Sequence, residues 1–144
     1  MKAVVPFRCV LVGFDGSADA AEALWVAGAV ADAPGDPGQL VILCVISRAL
    51  PPQGNGEGSD GVRPGTLVQT RVELVYSGGD SPGNVMTLYA QDHGFDILVL
   101  GRHGGGGRRK ITLGRAADRA VRGCLVPVLL VSAPNGETPT IAGL

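Results

Sequence analysis

The sequence predicts an α/β protein with a doubly wound, Rossmann-like parallel sheet, and three observations carry that prediction. Short apolar runs alternate with helix-like segments along the chain. Two of the runs, Cys9–Phe14 and Leu40–Ile46, are continuously apolar, the pattern of strands buried on both faces. Two runs also end in loop chemistry, Asp15-Gly16-Ser17 after the first and Gly101-Arg102-His103-Gly104 after the fourth. Alternating strands and helices form right-handed βαβ units, with ligands in the crevice at the carboxyl ends of the strands. Asp15, Val45 and Gly101 fall at those ends.

In chain order, Ser17 reads as the cap of a first helix, with Asp19 and Glu22 in its first turns, where the helix dipole favours acids. The helix spans Ala18 to Ala33 with a small-residue packing face, and Pro34-Gly35-Asp36-Pro37-Gly38 stops it. Trp25 is expected in the core. Leu40–Ile46 is the second strand. The connection from Arg48 to Gly65 holds Pro51, Pro52, Pro64 and five glycines without a helical period. It carries too little apolar surface to offset the entropy of ordering and reads as a mobile loop. Val68, Thr70, Val72, Leu74 and Tyr76 then alternate with Gln69, Arg71 and Glu73, a strand half exposed at a sheet edge. The loop and the strand agree: one face of the edge lacks the helix that a regular crossover would supply.

Ser81-Pro82 opens the next helix and His93-Gly94 closes it, with Val85, Leu88 and Tyr89 as its expected packing stripe. A cation at His93 suits the last carbonyls of that helix. Asp96–Leu100 is the fourth strand. A last helix starts near Gly114 and ends at Arg122-Gly123, and Pro127 opens a final strand over Val128–Val131. One domain is expected over residues 1–132, with the loop at 48–65, followed by a flexible tail at 133–144.

Seven of the chain's 12 Lys and Arg residues lie between Gly101 and Arg122, beside one acid, Asp118. A strand that empties into glycines and then a helix start suits anions, because backbone N–H groups and the helix dipole both face the ligand. The spacing points to a phosphate or other anion site within Gly101–Ala117. It is equally compatible with a glycine loop carrying solvated arginines.

Composition excludes several classes. The net charge is −1, so no global field attracts nucleic acid. With 4% aromatics and no stacking motif, nucleic-acid binding is not expected. The 23 glycines do not repeat periodically, which rules out collagen and solenoid readings. Cys9, Cys44 and Cys124 are odd in number and set in apolar runs, as reduced core thiols of a cytoplasmic protein are. No signal peptide or membrane span is read. No Ser/His/Asp set, HExxH, CxxC or Walker lysine is found, so neither catalytic nor metal-ligating residues are assigned. His103 has no carboxylate partner nearby in sequence and reads as a polar loop residue. Asp15, at a strand end, either faces a ligand or caps the first helix through its carboxylate.

Val12-Gly13-Phe14-Asp15-Gly16-Ser17, the glycines at 101, 104 and 114, and the closing Val126-Pro127-Val128-Leu129-Leu130-Val131 resemble the universal stress protein family over about Phe7 to Val131. The resemblance implies a five-stranded parallel sheet in the order 3-2-1-4-5 and a homodimer through the last strand, Val126–Val131. Some members bind ATP. By that resemblance Asp15 and Val45, with Gly13 beside them, hold adenosine, and the loop with Gly101, Arg102, Gly104 and Gly114 wraps the phosphates. ATP-binding members carry Ser or Thr after the last glycine, whereas this chain has Arg115, Ala116 and Ala117. Arg115 is suited either to pair with phosphate bidentately or to fill the phosphate space. The expected function is a small stress-associated regulatory protein that binds ATP or AMP, with Mg if ATP, or another anion, and is not an enzyme. The alternative is a dimeric interaction module without nucleotide, in which Arg115 replaces the phosphate-binding hydroxyl and a protein partner docks.

Overall fold

The computed structural model describes residues 7–32, 38–46, 68–103 and 113–134. The elements run β1 (Cys9–Gly13), α1 (Ala18–Ala31), β2 (Gln39–Ile46), β3 (Gln69–Tyr76), α2 (Pro82–Asp92), β4 (Ile97–Gly101), α3 (Arg115–Gly123) and β5 (Val128–Val131). The strands form one parallel sheet in the order β3-β2-β1-β4-β5, so the sequence-based fold class and strand order hold.

The chain reverses direction along the sheet after β3, which puts α1 on one face and α2 and α3 on the other. Alternate residues of the buried strands therefore feed two cores. Val10, Val12, Leu40, Ile42, Ile97 and Val99 meet Ala23, Ala27 and Ala31 of α1. Leu11, Val41, Leu43, Leu98 and Leu100 meet Met86, Ala90 and Ala120 on the opposite side. Burial on both faces explains the continuous apolar runs of β1, β2 and β4.

Both predicted caps are present. Ser17 accepts the Ala20 N–H at 3.1 Å and Ser81 accepts the Asn84 N–H at 3.2 Å. The His93 ring nitrogen Nδ1 lies 3.1 Å from the Tyr89 carbonyl, at the helix end where the sequence placed it. Asp96 closes the amino edge of the sheet: its Oδ2 accepts the N–H groups of Arg8 and Cys9, both at 2.9 Å.

Two packing expectations are corrected. The buried face of α2 is Gly83, Met86, Thr87 and Ala90; of the expected stripe, Tyr89 packs against the core as a half-buried residue, whereas Leu88 is exposed. Those positions are three and four apart, but small residues and a methionine fill them because α3 approaches closely there. A Cβ at Gly83 would stand 2.8 Å from the Ala116 carbonyl oxygen. Trp25 is half-buried and lies outside both cores. It sits about 200° around α1 from Ala23, on the side away from the sheet.

β3 is an edge strand, as expected, and its apolar residues Val72, Leu74 and Tyr76 are the exposed ones. They pair in register with Ile42, Cys44 and Ile46, which sets them on the α1 side beyond the reach of that helix. The loop expected at 48–65 lies outside the described residues, as does the tail expected at 133–144 from 135 onward; its first residue, Ala133, is instead buried and donates its N–H to Asp19 Oδ1 at 2.8 Å. The three cysteines are half-buried and unbridged. No helix among the described residues is long and apolar enough to cross a membrane.

Candidate functional site

A cavity of about 1010 Å³ opens at the carboxyl end of the sheet, on the α2/α3 face. Its position follows from the two-residue period of the strands. Gly13 at the end of β1, Leu43 and Val45 near the end of β2 and Leu100 of β4 share that face, while Gly101, whose Cβ would point at α1, borders the cavity as the last residue of β4. Met86 and Pro82 of α2 form an apolar wall, and the first turn of α3, Gly114 to Asp118, closes the other side.

Gly13, Asp15, Val45, Gly101, Gly114, Arg115, Ala116 and Ala117, all expected at the site from the sequence, line this one cavity. Arg102 does not. Its backbone N–H donates to the Val131 carbonyl at 2.8 Å and its guanidinium reaches Ser132 Oγ at 3.5 Å, toward β5 rather than the cavity. Gly104 lies outside the described residues.

Gly13 has a packing reason. A Cβ there would run into the Met86 sulfur and Leu100 Cδ2, so the glycine lets α2 lean onto the end of β1. Asp15 accepts the Ser17 N–H at 2.9 Å, which ties it to the start of α1. Its carboxylate thus supports the helix start while lining the cavity. Gly114 is the N-cap of α3 and has an extended backbone, φ −70° and ψ 166°, with no side-chain cap bond. The N–H groups of a first helical turn have no intrahelical acceptor, so α3 begins at the cavity with donors and the positive end of its dipole. Arg115, the first helical residue, adds a full charge to that end. Asp118 also lines the cavity, and both its carboxylate oxygens lie 3.0 Å from Arg122 Nε.

The cavity is therefore two-sided. Leu43, Val45, Met86, Leu100 and Phe14 offer apolar surface, and Ser17, His103, Arg115 and the α3 terminus offer donors. Such a mixture suits a ligand with a flat apolar body and an anionic end. Among the described residues no group of three His, Cys, Asp or Glu side chains is arranged to hold a metal ion.

Sequence reasoning missed the contact between His103 and Asp19. Asp19 lies in the first turn of α1, as expected. It is buried, and it supplies the carboxylate partner that His103 lacks in the local sequence, with Nδ1 to Oδ2 2.9 Å. Burial pushes the Asp19 carboxyl up, but hydrogen bonds from the Ala133 N–H and from the His103 ring and N–H outweigh it and hold the group below its ordinary value. Ser17 lines the cavity besides capping α1, and Leu43 was detectable as the residue two before Val45 on the same strand face.

The chain matches the profile of the Universal stress protein family over residues 6–132. No curated protein sequence matches it. Solved structures share its fold at low identity. Universal stress protein UspA from Lactobacillus plantarum aligns at TM-score 0.64 and 17% identity, over 87% of this chain and 98% of that one. A universal stress protein in complex with cAMP aligns at TM-score 0.60 and 20% identity, over 90% of this chain and 99% of that one. The universal stress protein from Archaeoglobus fulgidus in complex with dAMP aligns at 0.57 and 18%, over 88% and 98%.

Proposed function

The chain belongs to the universal stress protein family, and on that footing we propose that its cavity binds an adenine nucleotide, ATP or AMP, in a regulatory protein rather than an enzyme. The observation that carries this reading is the convergence of eight sequence-assigned residues on one two-sided cavity. The base and ribose lie along Val45, Gly13 and Asp15, where the apolar wall and a carboxylate acceptor suit them. The phosphates lie toward Gly101 and the α3 terminus, with Arg115 as their cation in place of a hydroxyl. Structures of relatives with cAMP and dAMP support an adenine nucleotide as the ligand class. If ATP is bound, Mg²⁺ comes with it, held by phosphate oxygens and water, in keeping with a cavity whose described residues form no carboxylate cage.

The protein acts as a homodimer through the β5 edge. The four residues of β5, Val128 to Val131, are all apolar and half-buried on a strand with one free side in the sheet order. An apolar edge of this kind templates pairing with a second copy. A monomeric mass at micromolar concentration would overturn this part.

The deciding experiment is a thermal melt with and without millimolar Mg-ATP or AMP, against inorganic phosphate as control. A ligand at about 100 times its Kd stabilises the native state by roughly 2.7 kcal/mol, a shift of several degrees. No shift with either nucleotide would favour the interaction module that docks a protein partner. Phosphate release from ATP above that of an Asp15→Ala variant would overturn the non-enzymatic reading.

A further inference from the structure

Asp19 is 5% exposed, on the side of α1 that faces the sheet, and the nucleotide reading above gives it no part. Its oxygens collect three bonds. Oδ1 accepts the Ala133 N–H at 2.8 Å, and Oδ2 accepts the His103 N–H at 3.0 Å and lies 2.9 Å from the ring nitrogen Nδ1. One side chain thus pins the segments that follow β4 and β5 to α1. A carboxylate only accepts, so the bond to the ring requires the hydrogen on Nδ1. Both the rotation of the imidazole and its tautomer follow from that contact. The same ring lines the cavity.

A carboxylate needed only to close two backbone turns would be satisfied by N–H groups. Here one oxygen takes the main-chain and side-chain donors of a single cavity residue, and burial makes each of those bonds costly to lose. We propose that Asp19 is a positioning residue of the nucleotide site, which holds His103 so that its imidazole meets the ligand in one orientation with the hydrogen on Nδ1. This rests on the nucleotide reading for its ligand, and on geometry alone for the state of the ring.

The test uses the full-length protein and two readouts. Asp19→Asn keeps the volume, and its amide oxygen still accepts from Ala133, but its nitrogen cannot accept from His103. Long-range proton–nitrogen correlation spectra of the ligand-free protein should show Nδ1 of His103 carrying the hydrogen, and Asp19→Asn should abolish that preference. Calorimetry with AMP and Mg-ATP should give binding about tenfold weaker in Asp19→Asn, the loss of one charge-assisted hydrogen bond. His103→Ala should cost a similar factor, and the double variant should lose no more than the worse single one, because Asp19 acts through His103. Three results would each overturn the proposal: a wild-type ring with its hydrogen on Nε2, unchanged affinity in Asp19→Asn, or losses that multiply in the double variant. If Asp19→Asn fails to fold, the wild-type tautomer and the His103→Ala affinity decide. If the wild-type protein binds no nucleotide while Nδ1 carries the hydrogen as expected, the nucleotide reading falls and with it the ligand part of this proposal.

Discussion

Gly101 and Asp19 are in direct backbone-to-backbone contact: a Cβ at position 101 would stand 2.8 Å from the carbonyl carbon of Asp19 and 2.9 Å from the Ala20 nitrogen. The glycine that the sequence marks as the start of the anion loop is thus also the point where α1 meets the end of β4. Only a residue without a side chain permits that approach.

Gly101→Ala must therefore move a helix start rather than a flexible side chain. The expected loss is about 1–3 kcal/mol of stability, as for overpacking elsewhere. Gly123→Ala is the matched control. A Cβ there meets nothing within 4 Å, and the residue ends α3. It should leave stability unchanged or raise it by up to about 1 kcal/mol, since alanine gives up less chain entropy on folding. Urea melts of both variants check the pair, and equal midpoints would contradict the packing reading.

Arg115→Ser supplies the hydroxyl that the family resemblance leads one to expect after Gly114 and removes the guanidinium. If Arg115 pairs with phosphate, Mg-ATP binding weakens about tenfold. Calorimetry reads the sign. Tighter binding would mean that the arginine fills the phosphate space in the native protein.

Asp19 sets a pH dependence whose sign follows from its hydrogen bonds. Its folded-state pKa lies below the unfolded value, which is about 3.9 for an aspartate. The contribution is then complete above that value and is lost as pH falls through the folded one. Asp19→Asn should be less stable than wild type at pH 7 by about 1–3 kcal/mol, the cost of breaking a buried charged network. Thermal melts should show the gap constant from pH 7 to about pH 5 and narrowing below about pH 4. A gap that stays constant down to pH 3 would rule out the ionised carboxylate as its source.

Burial pushes the Cys44 thiol up from its ordinary value, so little thiolate is present at neutral pH. Alkylation by iodoacetamide should be slow at Cys44 in the native protein and fast after unfolding in urea. Peptide mass spectrometry over time separates this site from Cys9 and Cys124. Modification of Cys44 as fast in the native state as in urea would show that the α1 side of β2 opens freely.

The alternation of strands and helices, the caps at Ser17 and Ser81, the alanine face of α1 and the strand ends that border the cavity are all legible along the chain. These are local signals, since a period of two or of 3.6 residues and a hydroxyl three residues before an N–H are complete within one turn or one strand. Which partner each side chain found depends on how the elements pack. Asp19 and His103 are 84 residues apart and meet only because α1 crosses the end of β4. The buried face of α2 is small because α3 lies against it, and Val72, Leu74 and Tyr76 are exposed because α1 does not extend over the edge strand. Arg102 turned toward Ser132 for the same kind of reason, since the segment after β5 runs beside it. Distance along the chain hides such contacts, because nothing in the residues near one partner encodes the position of the other.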